Sequence, residues 1–323
     1  MGSLVKTLAL LLLLSGNALA QYPAKPIRWI VPFPPGGPTD TFSRPVAQKL
    51  SEIVGQPVII ENVGGAGGSL GVDRIAKSEP DGYTLGLATT GTQTINPHLY
   101  GKRLAYDALK DFTDLTLAVR YVNLLIVNPR VPAKSVAELV TYAKANPGKV
   151  TFGSAGNGSS NHLSGEVLKY VTGAPMTHVP YKGSAAALTD VIAGNITCMF
   201  DILVTALPQA HAGHVRALAV TSATRSPFAP DIPTMEESGI KGYSDAGADL
   251  WFGIIAPAGL PRPVTARLNG ALVQALRSPD IRQRLSAQAF EPWTSTPEEF
   301  ARVIRSDYEK WGRIVKASGA RID

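Results

Sequence analysis

Residues 27–33 form an apolar run interrupted once by Arg28. They lead into Pro34-Pro35-Gly36-Gly37-Pro38-Thr39-Asp40 and then a stretch of helical spacing from about Thr41 to about Val54. The pattern predicts a strand, a tight loop and a helix, with Pro45 expected to shorten or kink that helix. Strands are predicted at 58–61 and 83–88, with a Gly-rich turn and a short helix at 71–77 between them. A second series begins with a strand at 123–127. Ser135 and Glu138 then open a helix as a capping box, and Asn146-Pro147-Gly148 stops it. Strands at 150–152, 177–179, 196–201 and 215–221 alternate with helices ending near Val171 and spanning 184–192 and about 207–212. Residues 223–249, rich in Pro, Gly and acidic side chains, read as a linking stretch. A strand at 251–256 and three helices follow, the last opened by Thr296-Pro297-Glu298-Glu299. Alternating strands and helices predict an α/β fold with parallel-rich sheets.

The first twenty residues depart from this pattern. Lys6, an apolar run over 8–14 and Ala18-Leu19-Ala20 give the basic, apolar and small-residue regions of a secretory signal peptide, cleaved after Ala20. No later apolar run reaches the roughly 18 residues a membrane-spanning helix needs. The 323-residue length suits two lobes, and the single cysteine, Cys198, excludes a disulfide framework. Cys198 lies within an apolar strand and reads as filler. The formal charge is +6, of which Lys6 carries one, and the cations are dispersed, so nucleic-acid binding finds no support.

One local design occurs twice. The strand at 27–33 and the strand at 150–152 each run into a Gly-rich loop followed by a helix, the second through Gly153-Ser154-Ala155-Gly156-Asn157-Gly158-Ser159-Ser160. Glycines let backbone N–H groups turn toward a ligand, and the helix start adds partial positive charge, so the pair describes a grip for an anion. A third Gly-rich stretch, Gly64-Gly65-Ala66-Gly67-Gly68-Ser69-Leu70-Gly71, misses the dinucleotide fingerprint because Leu70 stands at its third glycine. It reads as a close helix–strand turn. No P-loop Lys follows any of these glycines, and Phe152 before Gly153-Ser154-Ala155-Gly156 misses a nucleophile elbow by one residue. The five histidines have no metal spacing; Gly213 ends the helix between His211 and His214. His162 falls in the first turn behind the second loop. Asp40 and Asp201 stand at strand ends, where each can fix a loop, and Trp251 opens a late strand.

At these residues the chain resembles the Bug/TctC family of substrate-binding receptors of tripartite tricarboxylate transporters. The resemblance runs through Val31-Pro32-Phe33-Pro34-Pro35-Gly36-Gly37-Pro38-Thr39-Asp40, Pro80-Asp81-Gly82-Tyr83-Thr84-Leu85, Phe152-Gly153-Ser154-Ala155-Gly156-Asn157-Gly158, His178-Val179-Pro180-Tyr181-Lys182-Gly183, Met199-Phe200-Asp201 and Trp251-Phe252-Gly253. It implies a two-lobed periplasmic binding protein of the type II kind with a hinged cleft, lobe 1 from 21–122 and 246–323 and lobe 2 inserted as 123–245. It implies a ligand held by Phe33, Pro34, Gly36, Gly37, Thr39 and Asp40 on one side. Ser154, Ala155, Gly156, Asn157, Gly158, Ser159 and His162 are implied on the other, with Thr89, Thr90, Tyr181, Lys182, Asp201 and Trp251 lining the rest. The expected partners are a small organic mono- or dicarboxylate and the membrane components of such a transporter, with no cofactor, metal or catalysis. Ile202 after Asp201, where the family often has Asn, implies a more apolar distal pocket. Two rival readings are a carboxylate sensor docking on a membrane signalling protein and a hydrolase using Ser154 or Ser159 with His162.

Overall fold

The computed structural model describes residues 22–244 and 250–322; the signal peptide and its cleavage site lie outside them. Two sheets organise the chain. The first has the order β11-β4-β10-β3-β1-β2 and the second β7-β6-β8-β5-β9. In the first, β1 (Ile27–Val31), β2 (Val58–Asn62) and β3 (Thr84–Thr89) run parallel, joined by helices α1 (Pro38–Val54) and α2 (Ser69–Ala76). A short helix α3 (Asn96–Tyr100) leads to β4 (Phe112–Tyr121), a strand the sequence pattern did not announce. Asp114 and three threonines or arginines within it blur the apolar run, yet its middle is fully buried. Burial raises the carboxyl pKa of Asp114 to about 7, against a smaller opposing pull from Arg305.

After Tyr121 a single residue, Val122, carries the chain into the second sheet. There β5 (Asn123–Val127) is followed by α4 (Val136–Ala145), β6 (Val150–Ser154), α5 (Ser160–Thr172), β7 (Met176–Pro180) and α6 (Ser184–Ala193). Then come β8 (Cys198–Ile202), α7 (Leu203–His211) and β9 (Arg216–Val220). The chain returns through β10 (Leu250–Pro257), α8 (Arg262–Arg277), α9 (Pro279–Ala287), β11 (Glu291–Pro292) and α10 (Pro297–Ser318). The sheets are mixed. β5 runs antiparallel to β8 and β9, and β10 antiparallel to β3 and β4. Each is the first strand after the chain changes sheet, and each runs against the βαβ-linked strands of the sheet it joins. The second sheet is therefore parallel in all but β5.

Local signals explain most element ends. Thr296 and Glu299 complete the expected capping box of α10. At α4, Ser135 Oγ accepts from Glu138 N–H, while Glu138 Oε2 reaches the N–H of Lys134 instead of Ser135. Helix α1 starts at Pro38, three residues before the predicted Thr41, because Pro at the first helical position needs no hydrogen bond. It also runs unbroken past Pro45, whose apolar neighbours Phe42, Val46 and Leu50 are fully buried. Core packing outweighs the lost helical bond.

Candidate functional site

The carboxyl ends of the parallel strands of both sheets face one cavity of about 350 Å³. From the first sheet it is lined by the loop and helix start after β1, by Thr89 at the end of β3, and by Tyr121 and Phe252. From the second come Ala155, Ser159, Ser160 and Asn161 after β6, Lys182 to Ala186 after β7, and Ile202 at the end of β8. Three helix starts therefore converge: α1, α5 and α6. Their first-turn N–H groups lack helical partners and carry the positive end of the helix dipole. Ser159 caps α5 by accepting from the N–H of His162, whereas neither α1 nor α6 has a side-chain cap. These two uncapped starts lie against each other, since a Cβ added at Gly37 would meet Ser184 Oγ at 3.5 Å. Thr39 Oγ1 is buried there without a hydrogen-bond partner. Lys182 is the one ionic side chain among the lining residues.

The first loop is held from behind. Asp40 Oδ2 and Oδ1 accept from Arg44 Nε (2.8 Å) and Nη2 (2.9 Å), and the carboxylate also accepts from the N–H of Gly36 and from Asn62 Nδ2. Burial alone would raise the Asp40 carboxyl, but the bonds from Arg44, Gly36 and Asn62 outweigh it and hold it below the usual range. Asn62 Nδ2 also donates to the carbonyl of Phe33. The negative charge is thus neutralised by Arg44 and used to shape the loop.

The second loop rests on two stacked imidazoles. Ser154 Oγ lies 2.6 Å from His178 Nε2 and accepts from the N–H of Gly156, while the N–H of Gly158 donates to His162 Nδ1. The rings of His162 and His178 stack at 4.0 Å between centroids. Burial, aided by repulsion from His178 and Lys169, lowers the His162 pKa to about 2; burial, then Lys169, lowers that of His178 to about 4. Both rings are therefore neutral supports. Ser154 is fully buried under the loop and pairs with His178, an arrangement unlike the Ser154–His162 pair of the hydrolase reading.

Of the residues expected in the site, Phe33, Pro34, Gly37, Thr39, Thr89, Ala155, Ser159 and Lys182 line the cavity. Gly36, Asp40, Ser154, Gly158 and His162 shape the two loops from behind. Gly156 and Asn157 face the Gly-rich turn after β2 instead, and Tyr181 turns its hydroxyl to Asp190 Oδ2 (2.6 Å). Thr90 Oγ1 accepts from the N–H of Trp251, and Trp251 Nε1 donates to Asp307 Oδ2 (2.7 Å) on the far side of the sheet. Asp201 is fully buried, its Oδ2 accepting from Thr205 Oγ1 (2.6 Å) and its Oδ1 unpartnered. The lining residues that sequence reasoning did not single out include Tyr121, Ser160, Asn161, Ser184 and Phe252. Tyr121 belongs to β4, which the sequence pattern did not announce, whereas Phe252 lies in a predicted strand and Ser184 at a predicted helix start, either of which could have been marked as facing the site.

Beside the cavity the two sheets meet at a seam of glycines. Gly67, at φ +59°, brings its Cα against the carbonyl oxygen of Asn157, and a Cβ there would collide with that oxygen. Gly158 similarly leaves room for Asn96 Oδ1. Tyr100 Oη donates to the Asn157 carbonyl (3.2 Å), and Asn96 Nδ2 to the Gly67 carbonyl (3.2 Å). The turn at 64–71, expected only to bring helix and strand together, thus also forms the contact with the second Gly-rich loop.

Residues 42–320 match the model of the tripartite tricarboxylate transporter family receptor, TctC. Among solved structures, the chain is similar to the periplasmic binding protein BugD, at 34% identity and a TM-score of 0.88 over 93% of this chain and 99% of that one. It is similar to R. palustris Rpa4515, solved with adipate, at 35% identity and a TM-score of 0.88 over 93% and 100% of the two chains. MatC from Rhodopseudomonas palustris, solved with bound malate, shares 33% identity at a TM-score of 0.86 over 91% and 100%. With a cavity between two sheets, helix starts aimed into it and a family match over most of its length, this chain belongs to the TctC family of solute-binding receptors.

Proposed function

We propose that this chain captures a small organic carboxylate in the cavity and delivers it, outside the inner membrane, to the membrane components of a tripartite transporter. One observation carries the reading: the uncapped starts of α1 and α6 face each other from opposite sheets, with the unpartnered hydroxyl of Thr39 beside them. Backbone N–H groups and hydroxyls bind a carboxylate through charge-assisted hydrogen bonds and leave it releasable. The adipate and malate held by Rpa4515 and MatC support a carboxylate here, and the signal peptide supports export. The strand membership of the two sheets supports a division into lobe 1 (21–122 and 246–323) and lobe 2 (123–245), with the crossings as hinge. Binding and release require no covalent step. Neither Ser154, paired with His178 beneath the loop, nor Ser159, bonded to the Gly156 carbonyl, has the setting of a nucleophile.

The test is a thermal-shift screen of carboxylates on protein unfolded and refolded to strip bound solute. A ligand at about 100 times its Kd adds roughly 2.7 kcal/mol of stability, which raises Tm by several degrees. Absence of a shift with every mono-, di- and tricarboxylate overturns the proposal, as does conversion of a bound acid to product.

A further inference from the structure

The cavity is chemically lopsided. On the side of α1 and α6 lie two uncapped helix starts, Lys182 and the unpartnered Thr39 hydroxyl, on a residue that is 6% exposed. Elsewhere, apart from the first-turn N–H groups of α5, each polar side chain of the lining already has at least one partner inside the protein. Tyr121 Oη donates to Ser160 Oγ (3.5 Å), Asn161 Nδ2 to the Phe200 carbonyl (2.5 Å), and Ser159 Oγ to the Gly156 carbonyl (2.8 Å). Thr89 Oγ1 is bonded to Thr92. Between these groups the wall is Ile202 with the rings of Tyr121 and Phe252. That wall is fixed. The Phe252 ring packs at 4.6 Å from Tyr121, 5.6 Å from Phe42 and 5.7 Å from Phe290, so it has no room to turn aside and admit a water or a new donor.

An added hydroxyl against such a wall loses its water and gains no hydrogen bond, an uncompensated desolvation. We infer that the ligand is an acid whose body is unsubstituted hydrocarbon, aryl or alkyl, and that Ile202 is the residue that excludes hydroxylated acids. The inference rests on the receptor reading above. The carboxylate sits at the α1–α6 pole, and the hydrocarbon body lies against Ile202, Tyr121 and Phe252.

Calorimetry on refolded protein tests this with acids matched in skeleton and differing by one hydroxyl remote from the carboxylate: phenylacetate against 4-hydroxyphenylacetate, benzoate against 4-hydroxybenzoate, and hexanoate against 6-hydroxyhexanoate. In each pair that binds, the hydroxylated acid is expected to be weaker by about 10- to 100-fold. Ile202→Asn, which places a donor and an acceptor in the wall, should narrow that gap at least threefold; Ile202→Thr serves if the Asn variant melts before the wild type binds. Equal or tighter binding of the hydroxylated member, or of citrate over every unsubstituted acid, overturns the inference while leaving the receptor reading intact. A gap unchanged in a folded Ile202 variant removes Ile202 from the role. Failure of every acid in the wider screen is the separate outcome that overturns the receptor reading itself.

Discussion

A carboxyl group enclosed as completely as that of Asp201 resists ionisation. Burial raises its pKa to about 7, against the lowering bonds from Thr205, the Ile202 backbone and Ser184. Because the unfolded value is near 3.8, the folded state keeps a proton that the unfolded chain releases between these two values. Stability linked to Asp201 is therefore fully present below pH 3.8 and lost as pH rises toward 7, by at most about 1.4 kcal/mol per pH unit. Asp201→Asn removes that titration. The difference in Tm between variant and wild type should become more favourable to the variant between pH 5 and pH 8; a difference that is flat or moves the other way refutes the protonated state. Asp201 also shows where residue-level reading of the sequence stops. Side chains alternate across a strand, so a one-residue error in parity moves a residue to the opposite face. Asp201 and Trp251 were expected in the site, whereas their strand neighbours Ile202 and Phe252 line the cavity, and of the expected pair Thr89 and Thr90 it is Thr89 that does. Motif resemblance located strand ends that face the cavity. The facing of each side chain depends on register between β10 and β3 or β5 and β8, which lies beyond any local pattern.

At the level of elements, the loop-and-helix design after β1 and β6 was legible because glycine, proline and cap residues act locally. The same locality hid β4, whose polar residues interrupt the apolar run while its middle is buried in the sheet beside β10. It also hid the role of the Gly64–Gly71 turn, whose partner is 90 residues away. Gly67→Ala tests that role. The substitution pays nothing inside the first lobe beyond the left-handed backbone, about 1–2 kcal/mol, but its methyl meets the Asn157 carbonyl. Gly55→Ala is the control, with φ +72° and open space around its Cβ. Without ligand Gly67→Ala should lose at least as much thermal stability as Gly55→Ala, while only Gly67→Ala loses carboxylate affinity, by tenfold or more in calorimetry. Equal affinities in the two variants would show that the seam does not govern binding.

For the molecule as a whole, alternation of strands and helices announced two α/β units, and the C-terminal helices do return to the first sheet, with α8 and α10 packed on β4. The antiparallel course of β5 and β10 was not legible, because it follows from the two passages between sheets. On the receptor reading, closure is a motion of two bodies about those passages. Small-angle scattering is expected to show a smaller radius of gyration for the refolded protein saturated with its acid than without it, and identical radii would exclude a hinge. Export makes its own prediction: intact-mass measurement of protein recovered from the periplasm should give Gln21 as the first residue, and retention of residues 1–20 would refute cleavage after Ala20.

The glycine seam has a consequence for how such a receptor is read from outside. Its fit depends on side chains that are missing, so on the proposed function the distance between Gly67 and Asn157 would work as a feeler gauge beside the cavity. A cargo too tall for the space holds the jaws apart by more than the width of a methyl group, and Tyr100 then loses its grip on the Asn157 carbonyl. A membrane partner that docks across the shut seam would sense the height of the cargo without touching it.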